Sequence, residues 1–166
     1  MGMKTLYLIG GTMGVGKTAA CQELNRLLPH SVFLDGDWCW NMDPFTVTEE
    51  TKVMVMDNIC SCLNNFLNCS VLENIVFCWV MHQQSILDEI LSRLDLTNCR
   101  VVPISLVCTE EALRARLLKD IDSGIRTPDI LDRSAARLPL YEALNTRKID
   151  TTHIDAAETA KRIAKQ

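Results

Sequence analysis

The chain has 166 residues, 48% of them hydrophobic, and this size and composition predict one compact domain over residues 1–166 with its own core. Its formal net charge of −4 at pH 7 argues against the basic stripe of nucleic-acid-binding proteins, and no segment is apolar for long enough to form a signal peptide or a membrane span. We therefore expect a cytoplasmic protein, monomeric or homodimeric, that binds neither nucleic acid nor membranes.

The first predicted element is a strand at residues 5–9, which leads directly into a glycine-rich segment at residues 10–18. That segment, GGTMGVGKT, fits the pattern G-x-x-x-x-G-K-[ST] of a phosphate-binding P-loop. Residues 19–28 carry apolar side chains at helical spacing, and Pro29 ends the predicted helix. Strand, turn and helix thus occur in the order that the motif requires, which predicts that residues 10–18 bind nucleotide phosphates.

The residue types of the P-loop suit the phosphates of ATP. Glycines let the backbone turn sharply and point successive N–H groups inward, and the helix start adds free N–H groups and the positive end of its dipole. Lys17 is expected to reach the β- and γ-phosphates, and the Thr18 hydroxyl is expected to coordinate Mg²⁺. The predicted nucleotide-binding residues of this loop are Gly11, Thr12, Met13, Gly14, Val15, Gly16, Lys17 and Thr18.

Beyond the P-loop, predicted strands and helices alternate, which indicates an α/β fold with a parallel sheet covered on both faces. Pro103 lies early in the fourth predicted strand and favours a position near the sheet edge, since proline cannot donate to a ladder. The further strands are predicted at residues 31–34, 74–80, 101–107 and 148–150, and the further helices at residues 48–69, 84–95, 109–120, 129–144 and 155–165.

Three more segments accompany the P-loop: LDGD at residues 34–37, RLPLYEA at residues 137–143 and IDTT at residues 149–152. With them, essentially the whole chain resembles the P-loop kinases of small molecules and nucleotides, the relatives of shikimate, gluconate and adenylylsulfate kinases. The resemblance implies a three-layer α/β/α fold of the nucleoside-monophosphate-kinase type, with a five-stranded parallel sheet of order 2-3-1-4-5. It also implies a mobile LID segment at about residues 120–133 and an acceptor-binding region at about residues 36–70.

The activity implied by this resemblance is an ATP-dependent transfer of the γ-phosphate to a hydroxyl or phosphate of a small molecule or nucleotide. Asp35 would hold Mg²⁺, and Asp37 would accept the proton of the acceptor hydroxyl, although an ordinary Asp-Gly turn is the alternative. By the same analogy Arg116 would flank the adenine, Arg126 would swing onto the β- and γ-phosphates, and Arg137 would contact the acceptor. Guanidinium groups suit these roles because their forked geometry matches phosphate and carboxylate groups.

The chain also departs from these kinases at the end of the third strand. Residues 78–82, CWVMH, lack the glycine triplet with which a shikimate kinase binds its substrate, so shikimate is not the expected acceptor. Trp38, Trp40 and Met42 suggest a flat or apolar acceptor that Trp38 would contact, but packing of the tryptophans under the second helix is equally open. Resistance proteins that modify antibiotics look similar here, so a drug or nucleoside acceptor also stays open.

Two other function classes compete with a kinase. An NTP hydrolase without an acceptor usually places an acid at the end of an apolar strand to hold Mg²⁺, and residues 75–81 offer none. The chain has no guanine-binding N-K-x-D segment either, which counts against GTPases and motor-type ATPases. A nucleotide-binding regulatory protein would have nearly the same sequence as an active kinase.

Overall fold

A five-stranded sheet forms the centre of the computed structural model, which describes residues 2–166. The strands lie in the order β2-β3-β1-β4-β5, and all four neighbouring pairs are parallel. This order and the parallel pairing confirm the predicted fold. The strands are β1 (Lys4–Gly10), β2 (Ser31–Asp35), β3 (Asn74–Trp79), β4 (Cys99–Val107) and β5 (Arg147–Asp150).

Six α-helices connect or follow the strands in the part of the chain that the structure describes. The longest, α2, begins after Thr48, whose hydroxyl accepts a hydrogen bond from the Thr51 N–H while the Thr51 hydroxyl accepts one from the Thr48 N–H. Short 3₁₀ helices occupy Gly36–Trp40 and Leu138–Ala143. The α-helices are α1 (Lys17–Leu27), α2 (Glu49–Asn68), α3 (Gln84–Ser92), α4 (Glu110–Asp122), α5 (Ile130–Arg137) and α6 (Ala156–Ala164).

The sheet is buried on both faces, as the continuous apolar runs of its central strands predict. Leu6 and Leu8 of β1 point into a core shared with α2 and α3. Tyr7 and Ile9, which alternate with them, point into a second core shared with α1, α4 and α6. Side chains of one central strand therefore anchor both helical layers.

Prolines explain two details of the fold. Pro103 pairs with Leu8 of β1, but pairing of β4 with β5 begins only at Ile104, so the outer side of β4 has no partner strand at the proline. The single helix predicted over residues 129–144 was wrong in its second half. Pro139 cannot donate to an α-helical ladder, and the chain continues beyond α5 as a 3₁₀ helix.

The carboxyl ends of β1, β2 and β3 meet at one edge of the sheet, where open α/β sheets bind ligands. The P-loop follows β1, the Asp-Gly-Asp segment follows β2, and Trp79 ends β3. Over residues 2–166, the structure contains no helix with the length and apolar character of a membrane span.

Candidate functional site

The P-loop has the backbone conformation that a phosphate site needs. Gly16, the residue before α1, has φ 102°, a left-handed conformation that favours glycine, and within residues 2–166 no atom beyond its chain neighbours lies within 4 Å of the position that a Cβ would take. The Lys17 ammonium donates hydrogen bonds to the carbonyl oxygens of Gly11 (2.7 Å) and Thr12 (3.0 Å), so the side chain folds back over the loop. Burial lowers the pKa of Lys17. A half-buried ammonium above a loop at a helix start can bind an anion.

Thr18 and Asp35, the two residues predicted to hold Mg²⁺, are hydrogen-bonded to each other. The Thr18 hydroxyl donates to Asp35 Oδ2 over 2.7 Å, and the other carboxylate oxygen accepts the backbone N–H of Asp37 over 3.0 Å. Asp35 is 6% exposed, so its orientation is fixed by these two bonds. A hydroxyl and a carboxylate are the hard oxygen ligands that Mg²⁺ prefers, and Mg²⁺ sites beside phosphates commonly use only one or two protein ligands. The donor set therefore fits the ion.

Asp37 is held by the end of the neighbouring strand. The indole N–H of Trp79 donates to Asp37 Oδ1 over 3.2 Å. A Cβ on the intervening Gly36 would lie 2.6 Å from the Trp79 ring, so only glycine lets this ring lie against the loop. Asp37 is nevertheless exposed, and its second carboxylate oxygen is available to a ligand.

A cavity of about 800 Å³, here called the acceptor cavity, opens beside Asp37. The segment after β2, the first turns of α2, the end of β3 with the residues that follow it, α3 and α5 all contribute to its lining. Its volume lies within the range of pockets that bind drug-sized molecules. Its lining residues include Asp37, Trp40, Phe45, Trp79, His82 and Arg137.

Trp40 lines the acceptor cavity, but Trp38, the tryptophan expected to contact the acceptor, does not. The Trp38 ring packs edge-on against Phe33 of β2, with 5.2 Å between the ring centroids, and 55% of the residue is exposed. The two tryptophans are two positions apart in a 3₁₀ helix and therefore point in different directions. Trp40, rather than Trp38, is therefore the tryptophan that lies where a molecule in the cavity could contact it.

The three arginines singled out from the sequence lie in three different settings. Arg116 donates to the carbonyl oxygen of Val15 (3.2 Å) and to Thr151 Oγ1 (3.0 Å), beside a smaller cavity of about 210 Å³ at the start of α1. Arg126 pairs with Asp120 over 3.0 Å and makes no hydrogen bond to the P-loop within residues 2–166. Arg137 lines the acceptor cavity and is half-buried.

Comparison with known proteins identifies the family. A family model described as "AAA domain" matches residues 8–136, more than half of the chain and including the whole P-loop. The chain belongs to the AAA domain family. The P-loop of this family implies nucleotide binding by the chain. No curated protein matches the sequence of this AAA domain.

Solved structures share the fold of this AAA domain at low sequence identity. A gluconokinase from Sinorhizobium meliloti is 16% identical, with a TM-score of 0.68 over 98% of this chain and 91% of its own. The tunicamycin resistance protein of Deinococcus radiodurans is 16% identical, with a TM-score of 0.69 over 98% of this chain and 95% of its own. A shikimate kinase from Acinetobacter baumannii, solved with shikimate, is 22% identical, with a TM-score of 0.60 over 98% of this chain and 92% of its own. The AAA domain therefore has a kinase-like P-loop fold.

Ser134 was not predicted from the sequence, although it connects the P-loop of this AAA domain to α5. The Thr12 hydroxyl donates to the Ser134 carbonyl over 2.8 Å, and the Ser134 hydroxyl donates to the Met13 carbonyl. Both side chains are fully buried. The sequence pattern could have indicated this role. Ser134 follows Ile130 by four residues, so it places a polar group on the apolar face of α5.

Proposed function

We propose that this chain is an ATP-dependent phosphotransferase that moves the γ-phosphate to a hydroxyl or phosphate of a small molecule or nucleotide. One observation carries the proposal: Asp37 lines a large cavity and is only two residues from Asp35, which bonds to Thr18 of the P-loop. A donor site and an acceptor site would thus meet at one edge of the sheet. In-line transfer requires this arrangement.

The residues near the P-loop would bind and orient the donor. Lys17 would exchange its bonds to the loop carbonyls for bonds to the β- and γ-phosphates, and Arg116 would flank the adenine beside the smaller cavity. Thr18 and Asp35 would hold Mg²⁺, which would neutralise charge that develops on the phosphates. Arg126 would leave Asp120 and turn onto the phosphates, a change that its position in the turn between α4 and α5 allows.

The residues around the acceptor cavity would place the nucleophile. Asp37 would accept the proton of the acceptor hydroxyl while that oxygen forms a bond to the γ-phosphorus and the bond to the ADP oxygen breaks. Trp79 keeps the Asp37 carboxylate in place through its indole N–H. Arg137 makes no ion pair within residues 2–166, so its guanidinium is available to an anionic group of the acceptor.

The acceptor cavity favours transfer over the two competing classes. A hydrolase needs space for a water molecule, and a regulatory nucleotide-binding protein needs no second site at all. A cavity of about 800 Å³ beside a candidate base is explained by a second substrate. An antibiotic-modifying phosphotransferase is one form of this proposal and differs from it only in the acceptor.

The test is a panel of hydroxyl-bearing and phosphate-bearing metabolites incubated with the protein and Mg·ATP. The measured quantity is the rate of ADP release above the acceptor-free background. We expect at least one acceptor to raise this rate and to be recovered with a covalent phosphate. Binding of ATP without stimulation by any acceptor would instead support the regulatory class.

A further inference from the structure

Three aromatic rings form one wall of the acceptor cavity. The Trp40 ring centroid lies 5.0 Å from that of Phe45 and 5.9 Å from that of Trp79, with interplanar angles of 83° and 74°. These edge-to-face pairs hold the three rings in a fixed cluster. Apolar side chains extend this aromatic wall, among them Val53, Met56, Met81 and Ile86.

Part of this apolar surface is exposed at the cavity. Phe45 is 59% exposed, and Val53 of α2 is 61% exposed. Large apolar side chains that are exposed together in a concave site indicate a binding surface. A ligand with apolar faces would remove this surface from water, which is favourable, whereas a polyol would not.

Six charged side chains line the cavity, and four of them, Glu49, Lys52, Glu89 and Arg133, form ion pairs. Lys52 pairs with Glu49 over 2.8 Å, and Glu89 lies 3.7 Å from Arg93. A sugar acid with several hydroxyl groups would need many polar side chains around it, and the aromatic wall offers hardly any. Within residues 2–166, Asp37 and Arg137 are the charged lining residues that form no ion pair.

His82 adds one polar group whose partner is missing. Its Nδ1 atom is buried and has no hydrogen-bond partner within residues 2–166, although the residue lines the acceptor cavity. Burial, with a further contribution from Arg137, lowers the pKa of His82, so the imidazole is neutral at neutral pH. The preceding residue, Met81, has φ 39°, an uncommon backbone conformation for a side chain of this size. An unpartnered buried polar atom is costly, and a bound molecule can satisfy it once the imidazole ring turns toward the cavity.

We infer that the acceptor is a hydroxyl compound with a bulky, planar, apolar body that packs on the aromatic wall of Trp40, Phe45 and Trp79 and hydrogen-bonds to His82. This inference rests on the proposed function, since it names the molecule that receives the phosphate. The acceptor hydroxyl would lie at Asp37, and the apolar body would extend toward α2. A compact six-carbon sugar acid would leave most of the cavity filled with water.

Binding and transfer are measured separately on the full-length protein, so that the inference and the proposed function can fail independently. Isothermal titration calorimetry is used with three apolar hydroxyl compounds, 4-methylumbelliferone, 2-naphthol and estradiol, and with two polar acids, gluconate and shikimate. ADP release is then measured with the same five compounds and Mg·ATP. We expect an apolar compound to bind and to raise ADP release, and the polar acids to do neither.

Two pairs of variants locate the binding site. Trp40→Ala should weaken binding of the apolar compound by about tenfold or more, whereas Trp38→Ala, which removes a tryptophan outside the cavity, should keep the wild-type Kd. His82→Ala should weaken binding by about tenfold, and His153→Ala should not. Circular dichroism spectra check that all four variants are folded.

The possible results separate clearly. Failure of all three apolar compounds to bind in a Trp40-dependent manner overturns the inference, even if a polar acid is phosphorylated and the proposed function survives. Equal losses for Trp38→Ala and Trp40→Ala overturn it as well. Trp40-dependent binding without any stimulated ADP release supports the ligand class and counts against the phosphotransferase.

Discussion

Lys17 lies above the P-loop with its ammonium on two backbone carbonyl groups, and no other lysine lies in this loop. Lys17→Ala removes the one mobile positive charge that the loop can present to the β- and γ-phosphates. We expect kcat to fall by about 10²–10³-fold, the range for loss of one preorganised charge-stabilising group. ADP release in the presence of a working acceptor measures this effect. Lys161→Ala, on the exposed side of α6, is the matched control, and wild-type turnover by the Lys17 variant would disprove the assignment.

Asp37 can be tested without disturbing its surroundings. In Asp37→Asn the amide oxygen can still accept the Trp79 indole N–H, but the side chain can no longer take a proton from the acceptor. We expect ATP affinity to stay near the wild-type value while kcat falls by about 10²–10⁴-fold. Equilibrium binding of ATP and steady-state turnover are measured on the same preparation. Asp43→Asn, in the same segment but outside the cavity lining, is the control, and a parallel loss of ATP affinity would make Asp37 structural.

At the level of elements, α5 and the P-loop are joined through Ser134. Ser134→Ala removes the hydroxyl that bonds to Met13 and leaves a buried carbonyl without that donor. We expect the free energy of unfolding to fall by about 1–2 kcal/mol and KM for ATP to rise, because the loop loses its support. Urea denaturation and ATP-dependence of turnover measure the two effects. Ser123→Ala, exposed in the turn after α4, should change neither, and an unchanged KM in the Ser134 variant would limit its role to stability.

The elements that could be predicted from the sequence are those with local signals. The P-loop carries its turn residues and helix start within nine positions, and the alternating strands and helices define the parallel sheet. The break of the helix at Pro139 was missed because the apolar pattern continues past the proline. The acceptor cavity could not be predicted, since it depends on how segments that are distant in the sequence pack around it. Trp38 and Trp40 look equivalent in the sequence, and only the 3₁₀ helix separates their directions.

For the whole molecule, the helices that form the site pack in cores on both faces of the sheet. α1 packs in the core on one face, and α2, which lines the acceptor cavity, packs in the core on the other. A ligand that binds only the folded protein stabilises this whole arrangement by mass action. Mg·ATP at about 100 times its Kd should add about 2.7 kcal/mol of stability and raise Tm by about 5–10 °C.

This linkage also tests the metal site. Differential scanning fluorimetry with ATP and EDTA should give a smaller increase in Tm than Mg·ATP, because Thr18 and Asp35 are expected to contribute through the ion. Asp35→Asn should reduce the difference between the two conditions. An equal increase with and without Mg²⁺ in the wild-type protein would argue against a metal role for this pair.

The contact between Gly36 and the Trp79 ring constrains how this protein can change during evolution. The same indole lies against the backbone between the two aspartates, bonds to Asp37 and forms part of the aromatic wall. A mutation of Trp79 that adapts the wall to a new ligand would therefore also release the candidate base. Neither Trp40 nor Phe45 has a described hydrogen bond to Asp37, and Phe45 lies in an exposed segment. Changes of acceptor within related sequences are expected to accumulate at positions 40 and 45, while the pair at positions 36 and 79 changes together or not at all.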